Sequence, residues 1–231
     1  MRTVGIIGGL GPETTAKFYQ EIIASCFEKN KDKRPPILMW SIPLPYKIEE
    51  DLIKNAQGEE RYIPYLKEGA QWLEKGGADF LVIPCNTVHI FIKEIRESVQ
   101  IPVLSVVEAT IKFLKENRIS EVGMLATTSL IKSGLYSDKF KLEDIKVVLP
   151  DEEQQSRVGE VIFNLVNYSY TSQDEKQIMD ILDGFERQDV KVVLFACTDL
   201  QLLNLSHPNL KIYDTMKILA DATVENILKE K

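Results

Sequence analysis

The sequence predicts an α/β protein of two similar lobes, each a four-stranded, mainly parallel sheet flanked by helices, the two related by a pseudo-twofold axis. Three observations predict it. Short apolar runs alternate with amphipathic helical stretches, the runs are continuous enough to be buried on both faces, and the whole pattern occurs twice along the chain.

The expected strands are, in order, "TVGIIG" (3 to 8), "PILMWS" (36 to 41), "DFLVIP" (79 to 84), "PVLSVV" (102 to 107), "EVGMLA" (121 to 126), "IKVVLP" (145 to 150), "VKVVLFA" (190 to 196) and "LKIYD" (210 to 214). Helices fill the intervals. Tyr19, Ile22, Ile23, Cys26 and Phe27 fall on one helical stripe, and Val88, Phe91, Ile92 and Ile95 on another. Pro12, just after "GGLG", suits the first position of a helix, and the acidic run "PDEEQQ" reads as a solvated helix start favoured by the helix dipole.

The repeat is visible in three matched segments. "VGIIGGLGPETT" corresponds to "VGMLATTSLIKS", "DFLVIPCNT" to "VKVVLFACTD", and "PVLSVVEAT" to "LKIYDTMKI". The offsets are 118 (Val4 to Val122), 112 (Cys85 to Cys197) and 109 (Val103 to Ile212). Near-equal offsets in the same order predict two copies of one unit, with residues 1–104 plus 214–231 in the first lobe and 105–213 in the second.

Composition narrows the function. The net charge of −7 and pI near 5.1, with no basic tract, argue against nucleic acid or an anionic membrane as partner. No apolar run reaches the roughly 20 residues of a bilayer span, and Met1 leads straight into a strand, so the expected location is the cytoplasm. Three cysteines are too few for a disulfide framework and read as free thiols. Two distant histidines and no Cys-x-x-Cys give no support to a metal site.

Cys85 and Cys197 each follow a buried strand and precede polar residues that start a helix. In open parallel sheets ligands bind at the carboxyl ends of strands, so the two thiols are expected to face a shared cleft from opposite sides. A helix start should lower a thiol pKa from its usual value of about 8.5. One thiolate opposite one thiol can remove a proton from one face of a carbon and return one to the other, inverting a stereocentre. Asn86, Thr87, Thr127, Thr128 and Thr198 offer donors for a carboxylate next to that carbon. The turn "GGLGP", carrying Leu10, should approach the same cleft; it lacks the spacing of a dinucleotide loop. Cys26, on an apolar helical stripe, reads as core. His89, one turn beyond Cys85, reads as a buried hydrogen-bonded histidine, with tuning of Cys85 as the second reading, and His207 carries no signal.

"GIIGGLGPETT", "PCNTVH", "LATT" and "ACTDL", in this order, resemble the aspartate/glutamate racemase superfamily, most closely the aspartate racemases, over essentially the whole chain. The resemblance implies a cofactor-independent, two-cysteine racemase, usually a homodimer, acting on an acidic amino acid, most closely aspartate. It assigns Cys85 and Cys197 as the two bases, the first for the D-substrate face and the second for the L-face. Asn86, Thr87, Thr127 and Thr198 would then hold the α-carboxylate and α-amino region. Asp199 stands where the family commonly has Glu. Lys47 stands in the loop "SIPLPYK" where an Arg would grip the side-chain carboxylate, and Asn167 occupies the second basic position. The other readings are a glutamate or broad-specificity racemase, and a two-lobed carboxylate-binding protein without chemistry.

Overall fold

The computed structural model describes residues 1–230, and along them seven strands alternate with ten α-helices. In chain order these are β1 (Val4–Gly8), α1 (Pro12–Lys29), β2 (Ile37–Ser41), α2 (Tyr46–Asn55), α3 (Ile63–Lys75), β3 (Phe80–Val82), α4 (Ile92–Arg96) and α5 (Val106–Glu116). There follow β4 (Glu121–Leu125), α6 (Thr128–Lys132), α7 (Leu135–Lys141), β5 (Lys146–Val148), α8 (Glu152–Val166), α9 (Ser172–Arg187), β6 (Val192–Phe195), β7 (Lys211–Asp214) and α10 (Thr215–Leu228).

The strands form two separate parallel sheets, ordered β2-β1-β3 and β5-β4-β6-β7. Beside β3, Leu81 makes one parallel bridge to Val103. With that bridge counted, both sheets follow the same order, second, first, third, fourth, so the repeat in sequence is a repeat in topology. The expected fourth strand of the first lobe is reduced to that single bridge. Pro102 has no N–H to donate, and Ser105 already caps α5, its side chain accepting from the Glu108 N–H at 3.4 Å. Val106 and Val107, expected as strand, are therefore the first residues of a helix.

Helices start where local chemistry dictates. Pro12 opens α1, as its fixed φ and missing N–H allow. Asp151 and Gln154 form a reciprocal capping box on α8, and Thr171 and Asp174 another on α9. Asp214 caps α10 by accepting from the Met216 N–H at 2.8 Å.

Alternation along the strands sorts the core into three layers. Val4, Ile6, Phe80 and Val82 of the first sheet and Val122, Met124 and Leu194 of the second all face a central layer with side chains of α1, α5 and α10. Ile7, Leu81 and Ile83 face outward onto α3 and α4. Leu125, Val193 and Phe195 face outward onto α8 and α9. Each fully buried Leu, Ile or Phe contributes about 1.5–3 kcal/mol, so the shared central layer binds the two sheets into one body. That leaves the carboxyl ends of both sheets side by side.

Candidate active site

The site is built at the carboxyl ends of the first and third strands of each sheet, where the order of strands reverses direction in each half. After β1 the chain turns through Leu10 and Gly11; after β3 it reaches Cys85, Asn86 and Thr87. After β4 it reaches Thr127, and after β6 Cys197, Thr198 and Asp199. These residues, with Glu49, Leu52 and Ile53 of α2, Tyr62, Val88, and Ile162 and Val166 of α8, line one cavity of about 40 Å³. The two cysteines from equivalent repeat positions thus meet across a single space.

Each thiol is followed by a short 3-10 helix, Thr87–Phe91 and Thr198–Leu203, in place of the α-helix start the sequence suggested. The local geometry is similar. The backbone N–H two residues on, Thr87 in one copy and Asp199 in the other, faces the sulfur, and Cys85 has the Val88 N–H as well. These donors favour a thiolate, but burial outweighs them. It pushes Cys85 up to about 12, with the Asp199 charge adding to the rise, and holds Cys197 well above the usual thiol range. The expected lowering of the thiol pKa is therefore corrected: in the closed cavity both cysteines are neutral thiols, because desolvation opposes the anion more than a few amide dipoles support it.

Asp199 is the nearest base. The Cys197 thiol donates to its Oδ2 at 3.6 Å, and burial raises the carboxyl to about 7, the Glu49 and Glu13 charges adding to the rise. Gly11, at φ +28°, lies so close that a Cβ there would sit 2.8 Å from Asp199 Oδ1. Only glycine lets the turn after β1 close over this carboxylate.

The polar residues are held as tightly as the thiols. The Asn86 amide donates to Thr215 Oγ1 at 2.9 Å and accepts from the Tyr136 hydroxyl at 2.6 Å. The Thr87 and Thr127 hydroxyls meet at 2.9 Å, joining one lobe to the other. Thr127 Oγ1 also accepts from the Leu130 N–H at 3.3 Å, capping α6. Thr198 is buried against the same space. Thr128 lies just outside, its hydroxyl accepting from the Gln155 amide at 3.2 Å.

His89 is a core residue. Its Nδ1 lies 2.7 Å from the Cys85 carbonyl, and its Nε2 accepts from the Val106 N–H at 3.1 Å. Nδ1 therefore carries the hydrogen, and burial lowers the ring's pKa to about 4. It supports the Cys85 turn through the carbonyl and does not meet the thiol. Cys26 lies in the central core, as its stripe suggested. His207, silent in the sequence, ties a loop down: its Nδ1 accepts from the Asn209 and Leu210 N–H groups, and its Nε2–H donates to Asp183 at 3.0 Å. Both ring nitrogens are spoken for, so its grouping with Asp183 and Glu186 is a loop anchor and not a ligand set.

Lys47 is not brought to the cavity. It is exposed on α2 and paired with Asp51 at 3.0 Å and Glu50 at 3.5 Å. At about 100° per residue, Lys47 and Glu49 point to opposite sides of α2, while Glu49, Leu52 and Ile53 share the face that looks inward. Asn167 stands farther out, at the rim. Among the lining residues there is no Lys, Arg or His. Glu49, Tyr62 and the apolar wall were missed in the sequence; the i, i+3, i+4 spacing of Glu49, Leu52 and Ile53 is the signal that could have found them.

The family model described as Asp/Glu/hydantoin racemase matches residues 7–223. The chain belongs to this racemase family. The Bacillus subtilis "broad specificity amino-acid racemase RacX" is 29% identical over 97% of this chain and 98% of its own. The solved Picrophilus torridus aspartate racemase is 26% identical, with a TM-score of 0.81 over 100% of this chain and 96% of that one. The glutamate racemase of Campylobacter jejuni, at 16% identity and TM-score 0.63 over 97% of this chain and 85% of that one, shares the fold. Among the described residues, no helix of this family member is long and apolar enough to cross a membrane.

Proposed function

We propose that the chain is a cofactor-independent amino-acid racemase in which Cys85 and Cys197 are the two bases. The observation that carries this reading is that two cysteines, from equivalent positions of the repeat, line one cavity from opposite lobes. One sulfur, as thiolate, takes the α-proton; the electron pair left at Cα is spread into the α-carboxylate; the opposite thiol gives its proton to the other face. Substrate leaves inverted and the two sulfurs have exchanged protonation states. The resemblance assigns the D-face to Cys85 and the L-face to Cys197. Asp199 is placed to take the Cys197 proton and form the thiolate. Asn86, Thr87, Thr127 and Thr198 supply the polar surroundings of the α-carboxylate. The cavity is smaller than an amino acid, so substrate entry parts its walls.

The side chain is the open half of the proposal. Aspartate, expected from the sequence, shares support with the similarity to the Picrophilus aspartate racemase, but it calls for a cation that the lining lacks. That observation favours the alternative of an enzyme acting on several amino acids, which the similarity to the Bacillus broad-specificity racemase also supports.

The test is to incubate the purified chain, without pyridoxal phosphate, with enantiopure amino acids in D2O, following optical rotation and deuterium at Cα. Racemisation with deuterium incorporation is expected. Cys85→Ala and Cys197→Ala should each lower it by about 10²–10⁴-fold, the usual contribution of a positioned acid or base. A single variant that still racemises freely would end the two-base scheme. Binding with no exchange would make the chain a carboxylate-binding protein.

A further inference from the structure

The far end of the cavity carries chemistry of its own. Leu52, Ile53, Ile162 and Val166 form an apolar wall leading away from the thiols. At its end stands Glu49, which also lines an outer pocket of about 260 Å³ with Tyr46, Asn167 and Tyr168. Glu49, Ile53 and Val166 border both spaces, so this carboxylate stands between the cavity and the outer pocket.

Glu49 differs from its neighbours on α2. Glu50 is paired with Lys47 and Lys54, and Asp51 with Lys47 and Arg61. Those two acids consume the cations of the region. Among the described residues Glu49 has no hydrogen bond or ion pair, and neither space is lined by a Lys, Arg or His. Its surroundings add more negative charge. Burial and the Glu13 charge both disfavour its ionised form, and among the described residues Glu13 is itself partnered only by the Tyr168 hydroxyl. An unpaired carboxylate at the end of an apolar wall is stabilised by a cation on an aliphatic stem, and it repels an anion delivered the same way.

We infer that Glu49 is a specificity-determining residue, and that the preferred substrates are amino acids with a cationic side chain on three or four methylenes, of the lysine, ornithine and arginine type. The methylenes lie along Leu52, Ile53, Ile162 and Val166, and the ammonium or guanidinium meets Glu49. This rests on the two-thiol racemase reading, and it departs from the aspartate expectation for a stated reason: the cation sought on the protein belongs to the substrate.

The experiment compares kcat/KM of the full-length chain for L-lysine, L-ornithine and L-arginine with L-aspartate, L-glutamate and L-alanine, with Cα deuterium as a second readout. Basic substrates should exceed acidic ones by at least about tenfold, and Glu49→Gln should lower the lysine-to-alanine ratio by about 10- to 100-fold, chiefly through KM, as loss of a hydrogen bond between charged groups does. Glu49→Lys should raise the aspartate-to-lysine ratio. Aspartate turned over as well as lysine by the unaltered chain, or a Glu49→Gln variant that loses lysine and alanine equally, overturns the inference and leaves the two-thiol reading standing. No α-proton exchange with any amino acid overturns both.

Discussion

At the residue scale the site turns on buried acids that resist ionisation. Cys197 is buried and Cys85 half-buried, both small strand-end residues that suit a packed core, and the two-base proposal rests on their meeting across one cavity. Burial disfavours the anion of both, so the proposed scheme must make a thiolate as substrate binds, and Asp199 is the group within reach of Cys197. Its carboxyl, raised to about 7, holds a proton below that pH and cannot then accept one from Cys197. Activity through Cys197 should therefore fall as pH drops through about 7. A pH profile of kcat/KM for the L-enantiomer checks this: the acid limb near 7 should disappear in Asp199→Asn, with the plateau lowered by roughly 10–10³-fold. A limb that persists in the variant would take Asp199 out of the proton path. The same reasoning explains His89, whose two ring nitrogens are committed to backbone groups and leave nothing for the thiol.

At the scale of elements, the turn after β3 is held by residues far from it along the chain. Asn86 sits between Tyr136 of α7 and Thr215 at the start of α10, and Thr215 in turn donates to the Phe195 carbonyl at 3.0 Å. This chain of bonds links the two cysteine-bearing turns, since Phe195 ends the strand that leads to Cys197. Tyr136→Phe removes one bond and leaves the Asn86 carbonyl oxygen buried without that donor. Chemical denaturation should report a loss of about 1–3 kcal/mol, and KM should rise as Asn86 gains freedom. A stability loss with unchanged KM would assign Tyr136 to packing alone. Helix α2 makes the complementary point. Its 3.6-residue period, not its composition, sends Glu49 inward and Lys47 to solvent, so a change in register of two residues would put Lys47 in place of Glu49 and reverse the charge at the far end of the cavity.

At the scale of the whole molecule, the central layer decides that the lobes unfold together. Phe18 and Ile22 of α1, Val106 and Leu114 of α5, and Leu219 and Val224 of α10 pack between residues of both sheets. The tryptophans report one side only: Trp40 on β2 and Trp72 on α3 are stacked, with ring centroids 5.7 Å apart. Tryptophan fluorescence, following the first lobe, and far-UV circular dichroism, following both, should give coincident denaturation curves. Leu219→Ala should move both curves together, by about 2–5 kcal/mol. Separate midpoints would mean that each sheet and its outer helices are stable alone.

The repeat, the parallel strands, the two cysteines and most of their polar neighbours were legible in the sequence, because apolar period and turn chemistry are local and the chain writes them twice. "PVLSVV" shows the limit of such reading. Its β-branched residues fit a strand, yet Pro102 and the Ser105 cap, both also visible, shorten it to one bridge at Val103. Lys47 shows a deeper one, for its type was right for a carboxylate grip and its direction was wrong. Sequence alone determined that two strand-end cysteines occupy equivalent positions of a repeat, the pair on which the proposed proton transfer rests. Tertiary structure decided that the thiols rest neutral, that Asn86 is already bonded, and that the far end of the cavity is negative. Each of those depends on which faces are brought together and stripped of water, and desolvation is a property of the packed molecule, absent from any single stretch of chain.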